Sequence, residues 1–321
     1  MTGSCIECRI PIRFYEPGRL FISNENHWSF VDFQTIKEAE EELGRIGNDN
    51  VIGGIGKPGD QKPVRTAPLR DVAEWFSHQE VIRVIEKGQF VSFLQPIVET
   101  SSGNVYGYES LLRTNEEAAI PPGRLFHTAQ KLGMHSYLDK QARESAILAR
   151  KEHVKDGQKS FINFLPSTIY NPEFCLKHTF SVIEKYNVRP DDLVFEVVET
   201  EKIEDVDHLK KVLNVYKREG IKVALDDVGA GFSTIEMLEK LRPDYIKIDR
   251  SYISFCDQDS TKQSFINRAL KTASDLGIIA LAEGIERKEE YDYCRSAGIP
   301  LAQGYYFGRP SAEPMGNIQY I

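Results

Sequence analysis

The stretch KVALDDVGAGFST, Lys222 to Thr234, opens as an apolar strand and ends with Asp226 and Asp227 side by side, ahead of Gly229 and Gly231. Neighbouring side chains of a strand point to opposite faces, so both acids reach one site only where the strand stops and the glycine-rich turn starts. Two ionised carboxylates about 4 Å apart repel by roughly 4 kcal/mol at an intermediate dielectric. The pair therefore predicts a cation between the acids and further ligands elsewhere in the chain.

Outward from this stretch, short apolar runs alternate with amphipathic helical segments. The runs are FVSFLQPIV, NVYGYESLL, SFINFLP, DLVFEVVE, KVALDD, YIKID, IIALAEG and LAQGYYFG; the segments between them include VDHLKKVLNVYKREG and QSFINRALKTASDLG. Such alternation is the signature of an α/β fold, and eight runs in roughly 230 residues predict a closed (β/α)8, TIM-like barrel. The first two runs are separated by ETSSG alone, a hairpin-length turn, so the barrel is expected to open with an antiparallel strand. Upstream, RIPIRF, RLFIS and WSFVDF read as strands and TIKEAEEELGRI as a helix, which predicts a small α+β module over residues 1–52. Glycines, prolines and a lack of periodicity mark 53–68 as a linker, leaving 69–321 for the barrel. The GIGK inside that linker is followed by Pro58 and lacks phosphate-loop spacing, which rejects a nucleotide-triphosphate loop.

Composition narrows the function classes. The net charge of -8 is spread among interspersed acids and bases, with no basic stripe for gripping a nucleic-acid duplex. No apolar run approaches the ~20 residues of a membrane span, and MTGSCIECRIPIRF lacks a signal-peptide core, so a cytoplasmic chain is expected. Five scattered cysteines do not form a disulfide framework. Cys5 and Cys8 have the spacing of half a zinc site, against free or packed thiols; Cys175, Cys256 and Cys294 read as incidental thiols without a clear partner.

Each run also carries polar residues: Gln95, Glu109, Asn163, Glu196, Asp226 with Asp227, Lys247, Glu283 and Gln303. Active sites of such barrels sit where the strands end, and a polar group in an apolar strand must be paired or coordinating. Any one of these residues reads more simply as a salt bridge or cap; the full set does not. Oxygen donors without cysteine or histidine suit a hard cation such as Mg2+ or Mn2+, and adjacent carboxylates could be shared between two ions ~3.5 to 4 Å apart. Lys247 could instead be a Schiff-base nucleophile, but surrounding acids favour its charged form.

ESLLR at Glu109–Arg113, with QPI, INFLP, FEVVE, LDDVGAGFS, IKID, AEGIE and QGYYFGRP in this order, resembles the EAL-domain cyclic di-GMP phosphodiesterases from about Val81 to Pro310. The resemblance implies hydrolysis of cyclic di-GMP to linear pGpG with two Mg2+ or Mn2+ ions, in a homodimer. It assigns Glu109, Asn163, Glu196 and Asp226 to a first metal, Asp227 to a second, and Glu283 and Gln303 to the metal and water shell. By the same resemblance Lys247 orients the attacking water, Glu109 and Glu283 share the catalytic work, and Gln95, Arg113, Gln303, Arg309 and Pro310 contact substrate. Glu199 matches an acid that braces the loop after Asp227. Ser110 for alanine, Val198 for threonine and GAGFS for GTGYS are departures that remove no expected ligand. A receptor that binds the dinucleotide without cleaving it, and signals through the N-terminal module, is the competing expectation.

Overall fold

Residues 12–24, 27–46, 51–115, 119–198, 205–230 and 234–314 are described in the computed structural model. The chain divides into two units, Met1–Phe90 with Arg113–Gln141 and Val91–Leu112 with Ala142–Ile321.

In the first unit, β1 (Gly18–Asn24) and β2 (His27–Phe33) form an antiparallel pair, and β1 also pairs with β3 (Ile52–Gly56). A short β4 (Ala67–Pro68) completes a sheet ordered β2-β1-β3-β4. The segment 53–68, expected as a linker, thus carries strand residues, because Gly53 and Gly54 let β3 lie close against its neighbours: a Cβ on Gly53 would meet Leu69 at 2.6 Å. Residues 12–14, the described part of RIPIRF, are not a strand. The helix Ile36–Ile46 buries Ile36, Ala39 and Leu43 at the three- and four-residue spacing of one face. Two helices follow, Leu69–Ser77 and Gln79–Lys87, and the second stops at Gly88 in the left-handed region.

The second unit holds the barrel. Its strands are β5 (Phe90–Glu99), β6 (Val105–Thr114), β7 (Lys159–Phe164), β8 (Leu193–Val197), β9 (Lys222–Val228), β10 (Tyr245–Ile248), β11 (Ile279–Ala282) and β12 (Leu301–Gln303). They close in the order β10-β11-β12-β5-β6-β7-β8-β9. Pairs from β6 through β12 are parallel, whereas β12 meets β5 antiparallel, with Gln303 opposite Ile97. The expected modified TIM-like barrel with a reversed first strand is therefore the fold.

A layer of buried side chains plugs the barrel: Ile97, Phe161, Val194, Ala224, Tyr245, Leu281 and Leu301. A larger apolar layer, including Phe195, Leu213, Ile246 and Ile266, fills the space between strands and helices. The strand period of two decides what lies above the plug. Two residues past Phe161, Val194, Ala224, Tyr245, Leu281 and Leu301 come Asn163, Glu196, Asp226, Lys247, Glu283 and Gln303. On reversed β5 the step runs backwards, from Ile97 to Gln95. One apolar storey therefore carries one polar storey. No helix among the described residues is long and apolar enough to cross a membrane.

Candidate active site

Lys247 is at the centre of the polar storey and its side chain is 0% exposed. Its Nζ lies 3.1 Å from Asp226 Oδ1, 3.2 Å from Glu283 Oε1, and 3.5 Å from both Glu109 Oε2 and Glu196 Oε2. Burying an ammonium is costly unless it is paired, and four carboxylates on or just past the strands supply the pairing. Burial works against the Lys247 charge, but those carboxylates outweigh it and hold the pKa well above that of an ordinary lysine. A Schiff-base role, which needs a free amine, is excluded by this environment.

The acids are not equivalent. Glu109 accepts from Asn163 Nδ2 at 2.9 Å on one oxygen and from Gln303 Nε2 at 2.7 Å on the other. Burial pushes the Glu109 carboxyl up, yet Lys247 and these two donors more than reverse it, and Glu109 stays below the ordinary range. Glu196 is fully buried, and its Oε1 has no hydrogen-bond partner. Burial, with the neighbouring carboxylates of Glu109, Asp226 and Glu283, pushes Glu196 well up against the pull of Lys247. Asp226 is raised for the same reasons, burial first. Glu283 is pushed up to about 8 by burial, with Asp226, Glu109 and Asp227 adding to the effect and Lys247 opposing it.

Asp226 and Asp227 converge differently from the strand-end arrangement expected for them. Strand β9 continues to Val228, and its register against β10 slips: Leu225 faces Ile246, but Val228 faces Ile248. Three steps on β9 match two on β10, which is a β-bulge, and Asp227 takes φ 52° within it. The extra residue lets consecutive side chains serve one site. Aspartate is among the few residues that enter the left-handed region at modest cost. As a result Asp226, Asp227 and Glu283 each present an oxygen within 4.8 Å of the others.

This storey holds five acids around one ammonium, and a buried carboxylate oxygen lacks any donor. At about 4 Å, each uncompensated pair of like charges costs roughly 4 kcal/mol at intermediate dielectric. All donors are oxygens, so the residues fit one or more hard divalent cations.

Glu283, Asp227, Gln95 and Gln303 face an open cleft of about 230 Å³. Gln303 Nε2 also donates to Gln95 Oε1 at 3.1 Å, and Gln95 Nε2 donates to the carbonyl of Gly308 at 3.3 Å, which ties the Arg309–Pro310 segment to the site. The cleft rim adds residues that the sequence reading missed. Arg250 pairs with Glu286 at 2.9 Å, and Tyr305 is exposed with the Arg309 guanidinium 4.3 Å over its ring. The doubled aromatic in QGYYFGRP was the available signal for Tyr305; Arg250, directly after IKID, carried none. Arg113 is on β6 beyond Glu109 but belongs to the first unit, so the cluster described here does not include it. Glu199, expected to brace the loop, and Cys5 and Cys8, expected as half a zinc site, lie outside the described residues.

Comparison with known proteins agrees with this architecture. The pattern of the EAL domain matches residues 78–310. The chain is 33% identical over 240 residues to the probable cyclic di-GMP phosphodiesterase PdeG of Escherichia coli (strain K12), covering 72% of this chain and 47% of that protein. It spans about half the length, 43% to 55%, of this and three other curated relatives that it matches. A standalone EAL protein from Vibrio cholerae O395, solved in its c-di-GMP-bound form, is 31% identical with TM-score 0.62, over 72% of this chain and 97% of that one. BlrP1 of Klebsiella pneumoniae, solved as a calcium and cyclic di-GMP complex, is 27% identical with TM-score 0.66, over 89% and 73% of the two chains.

Proposed function

The chain belongs to the EAL domain family, and from that premise we propose that it hydrolyses cyclic di-GMP to linear pGpG, using divalent cations held by Glu109, Asn163, Glu196, Asp226, Asp227 and Glu283. The observation that carries this reading is the excess of acid around Lys247, with Glu196 Oε1 lacking a partner and Asp227 and Glu283 of the Asp226, Asp227 and Glu283 trio facing the cleft. Mg2+ or Mn2+ there, two ions per site, would neutralise charge at the phosphodiester and acidify a water.

The chain's own groups supply positioning and proton handling. Lys247, fixed among four carboxylates, offers an N–H to the attacking water and steadies negative charge as it develops. Glu283, partly exposed at the cleft, accepts the water's proton. The water oxygen forms the new bond to phosphorus, the bond to the 3′ oxygen breaks, and that oxygen leaves with a proton, which yields a 5′-phosphorylated linear product. Gln303 holds Glu109 and Gln95 in place. Gln95, Arg113, Arg309 and Pro310 contact the dinucleotide, the guanidinium of Arg113 offering a fork to a phosphate oxygen. Glu199 braces the loop that follows Asp227. The chain acts in the cytoplasm as a homodimer, the default symmetry of such assemblies.

The test is incubation of the purified chain with cyclic di-GMP and Mg2+ or Mn2+, resolving nucleotides by chromatography. Linear product that vanishes with chelator, and in Glu109→Ala, is expected. Saturable binding with no product at saturating metal selects the receptor reading; full turnover by Glu109→Ala overturns the site assignment.

A further inference from the structure

Away from the site, Cys256 and Cys294 are both fully buried in the apolar layer between barrel and helices. Neither forms a disulfide, and their thiols are hydrogen-bonded to each other. The sequence reading left both without a partner, because they stand far apart along the chain and in different elements. Cys294 lies on the helix Lys288–Ser296 that leads into β12, and Cys256 lies in the connection that follows β10 and the short helix Arg250–Ile253. Polar contacts hold these segments together beside the thiols. The Phe255 amide donates to Glu290 Oε1 at 3.0 Å, and Arg287 reaches Asp257 at 3.2 Å. Glu290 is itself buried, and its other oxygen caps the helix through the amides of Glu286 and Arg287.

We propose that Cys256 and Cys294 form a reversible redox pair, converted by a peroxide to an intrachain disulfide that ties the connection after β10 to the helix before β12. The chemistry balances with hydrogen peroxide as the oxidant. The Cys256 thiolate attacks one peroxide oxygen, the O–O bond breaks, and a sulfenic acid and hydroxide result. The Cys294 sulfur then attacks the sulfenic sulfur as its thiol proton passes to the departing hydroxide, the S–O bond breaks, the S–S bond forms, and water leaves. Two thiols and one peroxide become one disulfide and two waters. The hydrogen bond from Cys294 lowers the Cys256 pKa while the same bond and burial hold the Cys294 thiol up, which favours Cys256 as the attacking sulfur and Cys294 as the resolving one. Both cysteines follow or precede strands that carry Lys247 and Gln303, so the bond would fasten two walls of the barrel to one another.

The test uses the full chain with chelator present, treated with hydrogen peroxide, blocked with N-ethylmaleimide, and digested for mass spectrometry. The expected result is a crosslinked peptide joining residues 256 and 294, lighter by about 2 Da than the sum of its reduced parts and cleaved by dithiothreitol. Under denaturing conditions the thiol count falls from five to three. Cys175→Ser leaves the crosslink unchanged. Cys294→Ser removes it and leaves a dimedone-reactive sulfenic acid at residue 256. Peroxide treatment that leaves both thiols of the wild-type chain free, or that crosslinks either of them to another cysteine instead, overturns the proposal. Because the wild-type chain gives the decisive readout, a folding defect in a variant does not obscure the result.

Discussion

Glu196 and Asp227 are the residues where the site holds charge against the fold's own interest. Glu196 is fully buried, with one oxygen unpartnered and the other 3.5 Å from Lys247. Glu196→Gln keeps the shape and removes a carboxyl whose ionisation burial opposes, so in chelator its melting temperature should fall less steeply with rising pH than that of the wild type. The same change should lower turnover by about 100-fold, the usual cost of losing one charge-stabilising group. A variant with the wild-type pH dependence in chelator by calorimetry would show that ionising Glu196 costs the fold nothing. Asp227→Asn is the complementary case, because asparagine also tolerates a φ of 52°. The bulge should survive with an unchanged melt, while Mn2+ affinity by titration calorimetry drops about tenfold with the loss of one charge. Both acids stood out in the sequence as polar residues in apolar runs. Their separate environments did not, since nothing local tells Glu109, with both oxygens held by amide donors, from Glu196, with one oxygen on Lys247 and the other bare.

The decisive element is the end of β9. Its bulge turns two consecutive acids toward one site, and Gly229 follows at φ 109° under the stacked rings of Tyr252 and Phe265. A Cβ there would meet Tyr252 at 2.5 Å and Phe265 at 2.6 Å. Gly229→Ala should therefore cost about 2 to 4 kcal/mol in a urea melt, from positive-φ strain plus overpacking. An undiminished midpoint would mean that the rings move aside freely. The eight barrel strands were legible because each is an apolar run between helical segments, and reversed β5 because five residues cannot span a parallel crossover. The bulge was not legible: register is a property of two strands, and the glycines after it read equally well as a strand stop. Strand β3 was hidden for a related reason, since its glycines look like a linker until their close packing is seen.

For the molecule as a whole, the acid storey makes stability depend on pH and metal together. The Glu283 carboxyl sits at about 8 in the folded chain, raised chiefly by burial, and Glu196 and Asp226 shift in the same direction. Groups raised on folding stabilise most below their unfolded pKa and lose that contribution as pH climbs through the folded value. In chelator, the melting temperature should therefore fall between pH 5.5 and 8.5. Saturating Mn2+ should flatten or reverse this trend, since binding to the ionised acids adds stability by mass action. Calorimetry across that range, with and without metal, checks both, and a pH-independent melt in chelator would contradict the buried-acid account. The division of the chain into units was not readable in advance. Residues 113–141 group with the N-terminal segment, although they interrupt the barrel sequence and carry its helical periodicity.

The sequence by itself determined the barrel, its reversed first strand and the identity of the acids, because period-two apolar runs, turn lengths and polar residues inside them are local patterns that survive without coordinates. Only the tertiary structure decided which acid has both oxygens held and which keeps one oxygen bare, how Asp226 and Asp227 come to share a site, and that Cys256 meets Cys294. Each of these depends on the distance between segments remote in the chain. Burial and Coulomb interaction act through that distance, and one strand's spacing carries no record of it.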